Sequence, residues 1–208
     1  MPERRTIPGG QNVMKLAAPT ALVLLAATAF AAAAAGRDAA GPTPARCGGE
    51  LWRLKTLSDP GRNTVHLGAT DTTIAAIGKR PFPRPVPKLR RTAFQRHVWQ
   101  VVAQITQYRV ETDGIRLELY DHESYLNAVI PTPDCLSKVS RARKDIVSTF
   151  KLFTAQCGHP TSRDWQSLGA IVYVRGVGFW SQRRSLRGAA QNGAELHPVT
   201  GLRIVAGC

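Results

Sequence analysis

From His97 to Ile130 apolar and polar residues change places almost step by step, and that alternation restricts the fold more than any other feature of the chain. Trp99, Val101, Ala103 and Ile105 alternate with Gln100, Gln104 and Thr106, a period of two that sends the two sets to opposite faces of an extended strand. Asp113-Gly114 follows, a dipeptide suited to the tight turn of a hairpin. Ile115, Leu117 and Leu119 then alternate with Arg116, Glu118 and Tyr120, which predicts a second strand antiparallel to the first. A polar turn over 121–124 leads to a third strand, Tyr125 to Ile130, stopped by "PTPD".

The period then changes. Val139, Ala142, Ile146, Phe150 and Phe153 recur at spacings of three and four, with Arg141, Lys144, Ser148 and Lys151 on the other faces, so one amphipathic helix is predicted over Ser140 to Gln156. Gly158 and Pro160 end it. "GAIVYVRGV" reads as a strand covered on both faces, and "AELHPV" with "LRIVAG" as a last strand broken or bulged at Pro198 and Gly201. Three strands, a helix and two strands make a mainly β chain with one helix (α+β). That is the element order of a five-stranded OB-like barrel, expected over residues 97–208. Other β-rich sheets with one covering helix share the order. Upstream, "TLSDPGRN" is turn-forming and Thr70 to Ile77 is expected to make one short strand.

Leu16 to Ala35 is a nearly unbroken Ala/Leu/Val run, preceded by Lys15 and ended by Ala33, Ala34, Ala35 and Gly36. Positive, then apolar, then small is the order of a secretory signal, assigned to residues 1–35. The run is long enough for an uncleaved anchor, but alanine favours the bilayer only weakly, so stable membrane insertion is not expected. Residues 36–46, "GRDAAGPTPAR", read as a disordered leader. The remaining chain carries 25 basic and 13 acidic side chains, a formal +12. Its four cysteines, Cys47, Cys135, Cys157 and Cys208, read as two disulfides of an exported protein, because no CxxC or clustered Cys/His spacing points to metal. A helix from Ser140 to Gln156 would separate its ends by about 24 Å, whereas the five residues back from Ser140 to Cys135 span about 17 Å and a bridge adds at most ~7 Å. Pairing Cys135 with Cys157 would stretch that link to its limit, which favours Cys47 with Cys135 and Cys157 with Cys208. Cys47 with Cys208 stays the competing pairing.

Two readings of function follow. Residues 47–96 form a basic, proline-rich N-terminal arm, in which Lys79, Arg80, Arg84, Lys88, Arg90, Arg91 and Arg96 fall within eighteen residues that contain no acid. Pro81, Pro83, Pro85 and Pro87 hold part of it extended, and Phe82 and Phe94 would be available for stacking. Such an arm would neutralise a polyanion such as nucleic acid, a cell-wall polyanion or an acidic protein. A solvated connector whose charge aids solubility is the bland equivalent. The alternative function is a hydrolase or nuclease-like enzyme centred on Glu195 and His197. These lie two apart on one strand and so face the same way, with Asp121 or His122 able to join them. The pair would equally serve to pin the Asn192-Gly193 turn. His97 and His159 read as exposed or capping residues, and "GVGFW" as packing at a sheet rim. Nucleophile-elbow, phosphate-loop and metal motifs are missing from the sequence, so neither cofactor nor metal is expected. The acidic turn of secreted thermonucleases has no counterpart at Thr112 to Leu117.

"CGGELWRLKTLSDP", "HVWQVVAQITQYRVETDGIRLELYD", "AVIPTPDC", "VRGVGFW" and "NGAELHPV", spread from Cys47 to Cys208, resemble a widespread group of bacterial secreted OB-fold-like proteins with no assigned activity. The resemblance implies export and an OB-like fold. It also implies a leading Cys-Gly and a cysteine after the third strand, in agreement with the favoured pairing. Members carry a His-Gly-Gln-x-Gly run before Asn-Gly-x-Glu-Leu-His-Pro. Here that stretch is "RRSLRGAAQNG", which keeps Gly188 and has no histidine, so an activity using that residue is not implied for this chain.

Overall fold

Six strands and three α-helices carry the described part of the chain. In order these are α1 (Trp52–Lys55), β1 (His66–Asp71), α2 (Ile74–Gly78), β2 (His97–Glu111), β3 (Gly114–Asp121), β4 (Ser124–Pro131), α3 (Arg143–Gln156), β5 (Gln166–Trp180) and β6 (Ala194–Ala206). The computed structural model describes residues 47–158, 160–182 and 185–208, which lie within one compact unit. The expected signal, the expected leader and His159 lie outside the described residues. Among the described residues no helix is long and apolar enough to cross a membrane.

The protein is mostly β-sheet. Its sheet runs β1-β2-β3-β4-β6-β5, and β2 also pairs with β5, so the bonding is ring-like with β1 lying parallel to β2 outside the ring. One strand can meet β1, β3 and β5 because β2 is fifteen residues long. Its pairing with both β3 and β5 slips between Ile105 and Gln107, where Thr106 makes a bulge that lets the strand bend. The alternation read from the sequence sorts the inner face: Val101, Ala103, Ile105, Leu117, Leu119, Leu126, Ala128, Val172 and Val174 are buried in one cluster. Near the C-terminal end of β2, Phe153 of α3 meets Tyr108 edge-on at 5.4 Å. Near its N-terminal end Phe94 lies 6.0 Å from Trp99 and 4.8 Å from Trp180.

The N-terminal third departs from expectation. The strand ends at Asp71, and the last residues predicted to continue it, 74–77, lie in a helix, Ile74–Gly78. Thr73 caps that turn by accepting a hydrogen bond from the Ala76 amide at 3.0 Å, and Ile74 and Ile77, three apart, both reach the core. The extended geometry expected of the alternate prolines is confined to 81–87, which lie in neither helix nor strand, and the rest of residues 47–96 is built into the fold. Residues 47–96 contain two helices and a strand, and Phe82 and Val86 pack against the same core cluster that holds Phe94. Hydrophobic burial draws the apolar members of this segment inward, so Phe82 and Phe94 are not free to stack on a ligand.

Smaller differences have local causes. The helix begins at Arg143 rather than Ser140, because the Ser140 hydroxyl donates to the Thr56 carbonyl (2.6 Å) and the Arg141 amide to the Leu57 carbonyl (3.0 Å). Val139, assigned to the helix's apolar face, is instead 54% exposed. β6 runs unbroken through Pro198 and Gly201 but slips register against β5 opposite both. Cys47 pairs with Cys135 and Cys157 with Cys208. The competing pairing is thereby set aside, and two disulfides point to an oxidising compartment.

Candidate functional site

Arg116 and Glu118 alternate with the core residues of β3, yet they are only 3% and 2% exposed. The outer face of β3 is covered by the chain itself. Glu118 pairs across to Asn127 on β4, Asn127 to Glu195 on β6, and Glu195 to Phe179 on β5, so a carboxylate–amide–carboxylate row crosses three strands spaced about 4.8 Å apart. Over this row lies Gly188, at φ 67°. A Cβ there would stand 2.6 Å from Glu118 Cγ and 3.2 Å from Asn127 Oδ1, so only glycine lets the backbone come so close. Beside it Arg187 Nε donates to Glu118 Oε2 at 3.0 Å, and the Thr106 hydroxyl donates to Glu118 Oε1 at 2.7 Å.

A second group of charges sits at the other end of the row. Arg116 donates to Glu195 Oε1 (3.2 Å) and to Glu111 Oε1 (2.8 Å), and Arg109 donates to the same Glu111 oxygen (2.7 Å). Burial by itself disfavours each charge, but the opposite charges outweigh it. Glu111 is held below its ordinary range by Arg116 and Arg109, and the Arg116 pKa is raised by Glu195 and Glu111. This cluster floors a cleft of about 370 Å³ whose walls include Lys55, Arg109, Phe179 and Glu195. Lys55 Nζ stands 5.7 Å from the centre of the Phe179 ring.

Glu195 and His197 do share a face, but they do not act on each other. Glu195 is bonded to Arg116, while both His197 nitrogens are buried and have no hydrogen-bond partner among the described residues. The imidazole is 1% exposed, packs at 5.6 Å against Phe179, and is absent from the cleft wall. Asp121 and His122 bond to each other at 2.6 Å, and His122 points into solvent. The Asn192-Gly193 turn is pinned by Asn192 itself, whose Oδ1 accepts from the Ala194 amide (3.1 Å) and whose Nδ2 donates to the Ile77 and Arg80 carbonyls (2.8 and 3.0 Å).

Burial, reinforced by nearby Lys55 and Arg116, holds the His197 pKa well below its ordinary 6.5. The unfolded chain therefore takes up a proton near 6.5 that the folded chain refuses. Stability is full above that pH and falls below it, by up to about 1.4 kcal/mol per pH unit. Urea unfolding between pH 7 and pH 5 is expected to show this slope in the wild type and to lose most of it in His197→Leu. An unchanged slope in the variant would show that His197 is not its source.

The seven basic residues picked from 79–96 divide into two kinds. Arg90 is internal: it pairs with Asp59 at 2.9 Å and donates to the Leu54 and Gln95 carbonyls. Arg80 lies over the Trp99 ring at 4.2 Å, and Arg96 folds back to donate to the Arg90 and Arg91 carbonyls. Lys79, Arg84, Lys88 and Arg91 are exposed, and among the described residues none of them has an ion-pair partner. His97 is half-buried, with Nδ1 2.9 Å from the Ala93 carbonyl oxygen. In "GVGFW" a Cβ on Gly178 would overlap the Phe94 carbonyl, so the motif serves packing. The sequence reading missed Arg109, Glu111, Glu118, Asn127 and Lys55. In one dimension Arg116 and Glu118 look like the solvent face of a half-buried strand, and nothing local announces a cover.

No family model and no curated protein matches the chain. Among solved structures, a protein described as an aspartyl-tRNA synthetase from Leishmania major is 12% identical with a TM-score of 0.41, over 70% of this chain. The match spans only 22% of that protein.

Proposed function

We propose that the chain is a secreted, non-enzymatic module of OB-like build that binds an anionic partner. The observation that carries the reading is the set Lys79, Arg84, Lys88 and Arg91: four exposed cations without counter-charges among the described residues, in a stretch of chain that contains no acid. The OB-like build is supported by the ring-like order, with α3 falling between the third and fourth strands of the ring, and by the sequence resemblance described above. Export is supported by the signal-like run at 16–35 and by the two disulfides. OB barrels commonly take their ligands on the second and third strands. In this chain the corresponding outer face is filled by Glu118, Asn127 and Gly188, which shifts binding to the free cations elsewhere. Against the hydrolytic alternative stands the sealed His197 imidazole, which has no hydrogen-bond partner among the described residues and is neither oriented by Glu195 nor open to a substrate proton.

Salt-gradient elution from heparin or DNA tests the proposal. The wild type is expected to be retained, and K79S/R84S/K88S/R91S to elute far earlier. On duplex DNA the slope of log affinity against log salt should fall by about 3 to 4, close to one per lost phosphate contact. Equal retention of the two proteins would overturn the reading.

A further inference from the structure

On the outer face of β2, β5 and β6 beyond the buried row, Val102, Ile171, Arg175, Arg203 and Val205 are exposed. In the centre of this face, Val102 pairs across to Tyr173 and Tyr173 to Arg203, while Ile171 lies opposite Gln104. Val102, Ile171 and Val205 are 47%, 39% and 54% exposed, three of the seven large hydrophobic side chains the described residues leave in solvent. Single exposed aliphatics are ordinary; here three share the outer face of adjoining strands, and charged and polar groups lie around them.

The rim is ordered before any partner arrives. Arg175 Nε donates to Gln100 Oε1 at 2.6 Å, and Gln100 in turn donates to Asp71. The guanidinium of Arg203 lies 3.6 Å from the centre of the Tyr173 ring. Neither Arg175 nor Arg203 has a carboxylate partner among the described residues, and both are exposed. Two guanidiniums held in place around an aliphatic centre ask for carboxylates around an aliphatic stripe.

We propose that this face docks an acidic protein segment, one presenting apolar side chains flanked by Asp or Glu. The inference rests on the anionic-partner function and narrows its partner to protein. Nucleic acid and cell-wall polyanion would leave the three aliphatic side chains without a contact, and one face of Tyr173 is already taken by Arg203. A second copy of this chain would set arginine against arginine. The patch also measures only about 14 by 16 Å from strand spacing and rise, some 230 Å² against the ~800 Å² per partner of a stable interface, so it suits a single helix or strand.

The test uses the full disulfide-bonded chain and three probes: a synthetic helix with a leucine stripe flanked by glutamates, poly-glutamate, and heparin. The leucine–glutamate helix is expected to bind at least tenfold more tightly than poly-glutamate. V102S/I171S/V205S should bring it down to the poly-glutamate level and leave heparin binding unchanged. R175E/R203E should lose the acidic helix and gain a leucine–lysine helix, which keeps the inference testable if the serine variant misfolds. Equal binding of helix and poly-glutamate by the wild type, or charge-reversed variants that still prefer the acidic helix, would overturn the docking surface. The anionic-partner reading fails separately, if K79S/R84S/K88S/R91S binds heparin and poly-glutamate as the wild type does.

Discussion

Reduced and alkylated, the protein is expected to unfold at about 37 °C, because its two disulfides close separate loops of 88 and 51 residues. In the chain-entropy account each is worth about 4 kcal/mol. Together they match the whole net stability, about 5 to 15 kcal/mol, of an ordinary domain. The first holds the start of the described chain, with α1 and the Leu57 and Val65 cluster behind it, to the turn after β4. The second ties the end of α3 to the end of β6, and without it Phe153 is held under the sheet only by packing. Circular dichroism during a urea titration measures the effect. A reduced protein with the oxidised midpoint would show that packing alone suffices. Of the paired replacements, C47S/C135S should cost slightly more than C157S/C208S, since the longer loop regains more entropy.

The second large effect is expected at Arg116. Among the described residues its guanidinium is the one ion-pair partner of Glu195 and one of two for Glu111; Arg116 and Glu195 are buried and Glu111 is partly so. Arg116→Met keeps the bulk and removes the charge, leaving the buried Glu195 carboxylate without its ion-pair partner or forcing it to take up a proton. Breaking a buried pair from one side costs about 3 to 5 kcal/mol. Adding Glu195→Gln should recover part of the loss, because the uncompensated carboxylate disappears. Urea midpoints for the single and double variants decide the matter. A single variant as stable as wild type, or a double variant no better than the single, would mean that these distances do not describe an interaction that matters. The same pair of variants bears on function, since a catalytic Glu195 would be freed for chemistry rather than merely destabilised when Arg116 is lost.

What the sequence determined by itself is local. The period-two runs placed β2, β3 and β4 and chose their inner faces, and the three-four spacing placed α3. The helix expected over Ser140 to Gln156 favoured the observed cysteine pairing, although α3 itself begins at Arg143 and leaves more chain back to Cys135. Each depends only on which neighbours along the chain share a face, which the order of residues records directly. Tertiary structure decided what lies against those faces. The polar side of β3 became interior because a glycine at position 188 brings a distant loop onto Glu118 and Asn127. Three of the seven cations of the basic stretch were drawn to Asp59, to Trp99 and to backbone carbonyls, while four have no ion-pair partner among the described residues. Glu195 found Arg116, seventy-nine residues away, before it could reach His197 two residues along. Burial is a property of the assembled surface and electrostatic partners are chosen by distance in space, so neither is written in the spacing of residues along the chain.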